Sequence, residues 1–334
     1  MAGYKALELP IPIKDQVWPL DVVPVVSVRV MVYNHIAYLA DCINGILQQK
    51  TNFPVQVLIH DDCSTDGCSE ILREYQKKYK ERIKVYFQEQ NTFRSALKHE
   101  LRKPFFDLIK GEYIALCEGD DFWIDTNKLQ AQYEFALKNP DLSMVFTGTV
   151  FRYVALKKDV VINPYENQKV FDACDYLSQE PFISSPTMFY KKAILLNKEN
   201  WMSKSFAGDF VLKYQALVHG KIGYLNAITA VYNRGVPNSW SNRKLTKQVI
   251  RKEYKDNIRG LNFLRTNIDI PDTCYEFKKR RLRKAYYHKY ALLENGSKRV
   301  LRAVFLLPKM GIRYFLSILK WTLIDVLKGT LRKR

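Results

Sequence analysis

The feature that most restricts this chain is an alternation through residues 24–154: short β-branched apolar runs separated by amphipathic stretches at helical spacing. PVVSVRVMVYN (24–34) is nearly continuous in apolar character, as a strand buried on both faces must be. IAYLADCINGILQQ (36–49) follows with apolar residues one turn apart, then a second buried strand, VQVLIHDD (55–62), and a second amphipathic helix, EILREYQKKYK (70–80). RIKVYFQE (82–89) reads as strand, 95–110 as helix, EYIALCEGDD (112–121) as strand, 127–138 as helix and LSMVFTGTVFRYV (142–154) as strand. This order implies right-handed βαβ units and a mostly parallel α/β sheet flanked by helices. Residues 1–24, punctuated by proline, are expected to wrap the surface.

In such sheets ligands bind outside the carboxyl ends of the strands. Those ends are VYNH (32–35), HDDCSTDG (60–67), QEQN (88–91) and CEGDD (117–121), all polar or acidic. No G-x-G-x-x-G or G-x-x-x-x-G-K-[ST] loop follows the first strand, which argues against a dinucleotide-binding Rossmann enzyme and a P-loop NTPase. CEGDD crowds Glu118, Asp120 and Asp121, which repel one another unless a cation or a proton relieves them. Mg²⁺ or Mn²⁺ suits such a site, since it takes one or two carboxylates and fills its shell with phosphate oxygens and water. A solvated acidic turn before the helix at 127 is the competing reading. Asp61 and Asp62 close the second strand, and Ser64 or Asp66 would cap the next helix. Capping leaves two acids on the strand side, one of which must face the cleft. An aspartate there can accept the N3–H of a uracil or thymine ring, and Tyr33 on the adjacent strand end can stack on it. His35, His60 and His99 are scattered and read as structural.

Charge divides the chain. Residues 1–240 carry 28 Lys+Arg against 27 Asp+Glu, whereas residues 241–334 carry 25 against 7, so nearly all of the net +19 lies in the last stretch. The expected organisation is a globule over 1–242 and a basic helical region over 243–334. The cysteines Cys42, Cys63, Cys68, Cys117, Cys174 and Cys274 form no C-x-x-C pair and have no histidine at zinc-ligand spacing, so a reducing compartment is expected. The N-terminus shows no signal-peptide pattern, and no stretch of 18 uncharged apolar residues is present to span a membrane.

Taken together, VSVRVMVYNHIAYLADCINGILQQKTNFPVQVLIHDDCSTDG, CEGDDFW and AGDFVLKYQALVHGKIGYL resemble glycosyltransferase family 2, particularly its bacterial capsule and O-antigen members, over about 25–242. The resemblance implies a GT-A (Rossmann-like) fold and inverting transfer of a sugar from a nucleotide-sugar, a UDP-sugar by preference, held through Mn²⁺ or Mg²⁺. It assigns Asp61, with Asp62 beside it, to the nucleotide base and Tyr33 to the base-binding rim. Asp120 falls at the metal-coordinating position, Glu118 stands where the first acid of a D-x-D contacts ribose or metal-bound water, and Asp121 is an accessory acid. Asp209, in FAGDFVLKYQALVHGKIGYL (206–225), matches the catalytic base. An acceptor hydroxyl has a pKa far above 7 and needs such a carboxylate to take its proton. QEQNTFRSALK (88–98) resembles a donor-binding segment, which makes Asn91, Ser95 and Lys98 candidates. AVYNRGVPNSWS (230–241) resembles the loop over donor and acceptor, where Arg234 would face the diphosphate and Trp240 an acceptor sugar. Many relatives carry a histidine there; this chain has none between His219 and His288.

The tail SKRVLRAVFLLPKMGIRYFLSILKWTLIDVLKGTLRKR (297–334) mixes ten Lys/Arg and one acid, Asp325, with many large apolar residues. It is expected to lie on an anionic bilayer without crossing it, with Tyr314, Phe315 and Trp321 at the interface. The expectation is therefore a cytoplasmic enzyme, peripheral on the inner face of the membrane. It would act on a saccharide acceptor, polyprenyl-diphosphate-linked, in cell-surface polysaccharide biosynthesis, without a nucleic-acid partner. A non-catalytic saccharide-binding scaffold on the same fold is one rival. A metal-dependent phosphohydrolase is the other, although VMVYNH lacks the Asp-x-Asp that an Asp-nucleophile phosphatase needs after its first strand.

Overall fold

The computed structural model describes residues 4–93, 95, 97–195, 202, 205, 207–237, 239, 242, 244–293 and 296–320. The chain forms two compact units, the first from 1–172, 181–198 and 215–242, the second from 173–180, 199–214 and 243–334.

In the first unit a short ribbon, β1 (Ile11–Pro12) with β3 (Lys50–Thr51), ties down the N-terminal segment. β2 (Val26–Val32), β4 (Val55–Asp61), β5 (Ile83–Phe87) and β6 (Tyr113–Glu118) run parallel in the order β5-β4-β2-β6. They are joined by α1 (Ile36–Leu47), α2 (Cys68–Lys78) and α3 (Lys98–Asp107), while α4 (Lys128–Lys138) follows β6. Alternation along β2 sends Val26, Val28, Val30 and Val32 into one core with Ile43 and Ile46 of α1. Arg29, on the opposite face, lies over the Phe106 ring at 5.8 Å and pairs with Glu118 at 3.8 Å. The register sets Val32 beside Asp61, Asp61 beside Phe87 and Met31 beside Glu118. All four strands therefore end at one rim.

The rest of the sheet is mixed. It is made by β7 (Phe122–Trp123), β8 (Leu142–Tyr153), β9 (Lys158–Ile162), β10 (Lys169–Phe171), β11 (Phe189–Lys191) and β12 (Lys221–Arg234). β8 and β12 are parallel, whereas the three-residue β11 is inserted antiparallel between β6 and β8. The tiny β7 pairs antiparallel with β12. Parallel pairing thus holds among β5, β4, β2 and β6, where helices make the crossovers, while β9 returns antiparallel along β8 after a short turn.

The second unit is helical: α5 (Ala173–Gln179), the start of α6 (Gly208–His219), α7 (Lys247–Asn267), α8 (Asp272–Ala291) and α9 (Gly296–Met310), followed by a helical segment over 312–320. Thr246 caps α7 by accepting the Val249 N–H at 3.2 Å. Gly260 lets the Phe210 and Tyr214 rings approach α7, where a Cβ would lie 3.1–3.2 Å from them. Buried Asp256 is matched by Lys252 at 3.0 Å and Arg259 at 3.1 Å. Cys174 of α5 and Cys274 of α8 are disulfide-bonded, with Glu180 bridging to Lys278 and Arg281 nearby. This corrects the reading of six reduced thiols: the two lie 100 residues apart, and only the packing of α5 on α8 brings them together. Cys42, Cys63, Cys68 and Cys117 are free. Among the described residues no helix is long and apolar enough to cross a membrane.

His60 of β4 is wholly buried, stacked on Tyr86 at 5.8 Å and edge-on to Phe105 at 5.1 Å. Burial, aided by the Arg102 charge, lowers its pKa from 6.5 to about 4. The unfolded chain therefore binds a proton that the fold rejects, and stability is complete above pH 6.5 and falls as pH drops toward about 4. The loss amounts to about 3 kcal/mol. Thermal unfolding of His60→Phe should show a smaller drop between pH 7 and pH 4.5 than the parent; equal drops would exclude His60 as the titrating group.

Candidate functional site

The rim at the ends of β2 and β4 is held by its own hydrogen bonds. Asn34 adopts a left-handed conformation (φ 57°), which asparagine tolerates better than most residues. Its N–H donates to Ser64 Oγ at 3.0 Å, and its side-chain oxygen accepts from Thr65 N–H at 2.8 Å. Asp66 joins two helix starts, accepting from Ile36 N–H (2.9 Å) and Cys68 N–H (3.1 Å). Burial raises the Asp66 pKa, but these donors outweigh it and hold the carboxyl below its ordinary value. The capping expected of Asp66 is thus a bridge between α1 and α2.

Asp61 and Asp62 are only 1% and 3% exposed. Asp61 accepts the Ser64 N–H at 3.1 Å and the Ser69 hydroxyl. Asp62 accepts from Thr92 N–H (2.9 Å) and Thr92 Oγ1 (2.5 Å) and pairs with Arg102 at 2.7 Å. Arg102 also donates to Thr92 Oγ1 at 2.7 Å. Both carboxylates, one of which was expected to face a nucleotide base, hydrogen-bond within the protein and fix the loops around them. Tyr33 and Asn91 lie on the same rim, and Asn91 donates to the Asp62 carbonyl at 3.1 Å. Arg102 and Thr92 carry no motif signal, because only the fold of residues 88–107 brings them to Asp62.

The CEGDD turn is pressed against the end of β2. Gly119 N–H donates to Met31 O at 2.9 Å, and a Cβ on Gly119 would stand 2.8 Å from His35 Nδ1 and 3.0 Å from Val32 Cγ2. Only glycine fits there. From the other side, Asn233 of β12 donates its backbone N–H to Asp121 Oδ1 at 2.9 Å and its side-chain amide to Asp120 O at 2.6 Å. Below the turn, Gly45 of α1 approaches the Trp123 backbone, Trp123 Nε1 donates to Pro186 O at 2.8 Å, and buried Lys128 lies 4.3 Å from the Trp123 ring. Burial lowers the Lys128 pKa from 10.5 to about 7.

This clamp sets the electrostatics. Asp121 is wholly buried; burial, then the Asp120 charge, pushes its carboxyl well above the usual range, and Oδ2 has no hydrogen-bond partner. Burial also raises Asp120, opposed by the His35 charge. His35 is in turn lowered by burial, with Asp120 and Asp66 opposing. Two adjacent carboxyls raised by burial, one of them with an unpartnered oxygen, are a setting in which a divalent cation would supply the missing countercharge, so the residues fit such an ion. Among the described residues no three His, Cys, Asp or Glu side chains form a complete metal-binding set. An ion here would complete its shell from phosphate oxygens and water. Glu118 turns toward Arg29. His35 and Asn233 escaped sequence reasoning as members of this site; the position of His35 just past a strand end was the available signal.

Arg234 ends β12, its guanidinium 4.9 Å from the centre of the Phe151 ring. An open cleft of about 420 Å³ adjoins the turn, lined by Tyr38, Asp41, Phe122, Arg152 and Asp159 together with Asn233. Ser95 accepts the Leu97 N–H at 3.1 Å, and Lys98 opens α3 with its side chain outside the described residues. Trp240 lies outside the described residues altogether. Asp209 belongs to the second unit, in the first turn of α6, with Lys213 Nζ 3.6 Å from its carboxylate.

The chain matches the family described as "Glycosyl transferase family 2" over residues 27–196. An uncharacterized protein of Mycobacterium tuberculosis is 29% identical over 208 residues, 62% of this chain and 58% of that protein. The putative teichuronic acid biosynthesis glycosyltransferase TuaG of Bacillus subtilis is 34% identical over 125 residues, 37% of this chain and 46% of that protein. This chain thus spans under two thirds of the length of either relative. Among solved structures, S. aureus TarS 1–349 in complex with UDP-GlcNAc gives a TM-score of 0.55 at 17% identity, covering 88% of this chain and 90% of that one. The mannosyltransferase PcManGT of Pyrobaculum calidifontis, in complex with GDP-Man and Mn²⁺, gives 0.56 at 11% identity, covering 93% and 83%. With half of its residues inside the family match and a GT-A fold shared with these structures, the chain belongs to glycosyltransferase family 2.

Proposed function

We propose that this glycosyltransferase takes a sugar from a nucleotide-sugar, a UDP-sugar by preference, and passes it with inversion to a saccharide acceptor. The carrying observation is the Asp120–Asp121 turn: a half-buried and a buried carboxyl, both with raised pKa values, clamped at the common rim of four parallel strands. The base lies over the rim made by Tyr33 and the 61–67 loop, which Asp61 and Asp62 hold in shape. Asn91 and Lys98 flank the donor. Asp120 would hold Mn²⁺ or Mg²⁺, with Asp121 and Glu118 as the accessory acids of the turn. When bound, that ion neutralises the departing diphosphate. Arg234 adds positive charge on the same side. Asp209 takes the acceptor hydroxyl proton as the oxygen attacks the anomeric carbon, and Trp240 stacks on the acceptor sugar. The bound donors and the Mn²⁺ of the TarS and PcManGT structures, with TuaG and a poly(ribitol-phosphate) β-glucosyltransferase among the relatives, support a role in building a cell-surface polymer. The acceptor is then lipid-linked and met at the inner, anionic face of the membrane, with residues 1–242 catalytic and 243–334 attached to that surface.

Three substitutions test the assignment. Asp209→Asn should lower turnover by about 10²–10⁴-fold while donor affinity by calorimetry stays near that of the parent; an unchanged rate removes the base. In Asp120→Ala, the Mn²⁺-dependent part of donor binding should vanish, and normal affinity would shift the ion elsewhere. Gly119→Ala should weaken donor binding roughly tenfold by pushing the turn off His35 and the β2 end, with the melting temperature far less affected than in core variants.

A further inference from the structure

The C-terminal part of the second unit carries apolar side chains on two opposite faces. Ala303, Leu306 and Met310 of α9, with Ile318, are buried in one cluster, against which Tyr314 and Phe315 also pack. Those inner residues account for the fold. The outer face is apolar as well: Leu301, Val304 and Phe305 are 69%, 53% and 77% exposed, and Ile312 and Leu316 are 62% and 57% exposed. Their spacing places Leu301, Val304 and Phe305 on one side of α9, and Ile312 and Leu316 on one side of the helical segment after Gly311. Soluble surfaces scatter such residues singly, so five large exposed apolar side chains within residues 301–316 mark a docking face.

Charge names the occupant. Residues 296–320 contain six Lys or Arg and no Asp or Glu. Lys298, Lys309, Arg313 and Lys320 are exposed around the ridge. An apolar strip flanked by cations matches an anionic lipid interface, where acyl chains take the strip and headgroups meet the cations. We infer that Leu301, Val304, Phe305, Ile312 and Leu316 form the membrane-inserting ridge of this chain, in the plane of an anionic bilayer. This changes the residues expected from the sequence: Tyr314 and Phe315 face the protein, and Trp321 lies outside the described residues. The inference gives a location to the membrane attachment proposed above, but it does not depend on the catalytic assignments.

The test is co-sedimentation of the full chain with phosphatidylglycerol-containing vesicles, beside pure phosphatidylcholine vesicles. The parent should bind the anionic vesicles preferentially and release them at about 1 M salt, where the Debye length falls to about 3 Å. Leu301→Glu/Phe305→Glu should lose roughly tenfold or more in partitioning, because two exposed apolar anchors become charged. Leu20→Glu, at a 91% exposed site in the first unit, should bind like the parent. The altered side chains are mostly in solvent, so unchanged circular dichroism is expected. Three results overturn the inference: no vesicle binding by the parent, binding undiminished in the double variant, or a lipid-free dimer of the parent that the double variant abolishes. Transfer to a water-soluble saccharide should survive in the double variant. Absence of that activity from the parent would count against the catalytic proposal and leave the ridge untouched.

Discussion

A carboxyl held out of water next to a half-buried one sets the terms for the rest of the first unit. Burial penalises the charge on both Asp120 and Asp121, the His35 charge offsets part of that for Asp120, and the Asp120 charge adds to it for Asp121. Such an arrangement persists only where surrounding groups overdetermine it. The clamp supplies that: Gly119 against the β2 end, the Asn233 backbone and amide on the opposite side, and Trp123 anchored beneath. Asn233 satisfies one oxygen of Asp121 and leaves the other without a partner. The protein orders the turn and leaves part of its charge for a ligand to neutralise.

The neighbouring acids show the contrasting solution. Asp61 and Asp62 are as deeply buried as Asp121, yet both oxygens of each accept hydrogen bonds from the protein, and Asp62 has a guanidinium. Buried ion pairs of this kind contribute more to uniqueness of geometry than to net stability, because desolvation offsets most of the attraction. Here the geometry fixed is that of two loops, 63–67 and 88–92, on either side of the rim. One pair of acids thus shapes the site and the other awaits a countercharge. That division follows from which side chains the fold brings within reach, since in sequence DD and GDD look alike.

That contrast also explains how far the sequence could be read. The parallel strands, their helices and the polar strand ends were legible because period-2 and 3.6 patterns report burial directly. Asp66 was legible as a cap because capping is local. Antiparallel β11 was not, being three residues long and defined only by its neighbours β6 and β8. The Arg102–Asp62 pair joins residues 40 apart, and the Cys174–Cys274 bond residues 100 apart. Pairings over such distances leave no periodic trace. The second unit illustrates the same limit at larger scale. Its basic helices were evident from composition, whereas its inclusion of 173–180 and 208–214 was not, because those segments are short and are recruited by contacts with α7 and α8.

The C-terminal helices carry this reasoning to the surface. A helix apolar all round is normally a buried helix. α9 buries one apolar face in its own unit and leaves the other in water beside cations, without an acid from 296 to 320 to balance them. Exposed leucine and phenylalanine are costly in water, and clustered cations repel one another, so both features raise the free energy of the isolated chain. An anionic lipid interface relieves both at once, through burial of the ridge and pairing of the cations. The same logic governs the Asp120–Asp121 turn: in each place the chain leaves one specific electrostatic or hydrophobic demand unmet, and the ligand class follows from what would meet it.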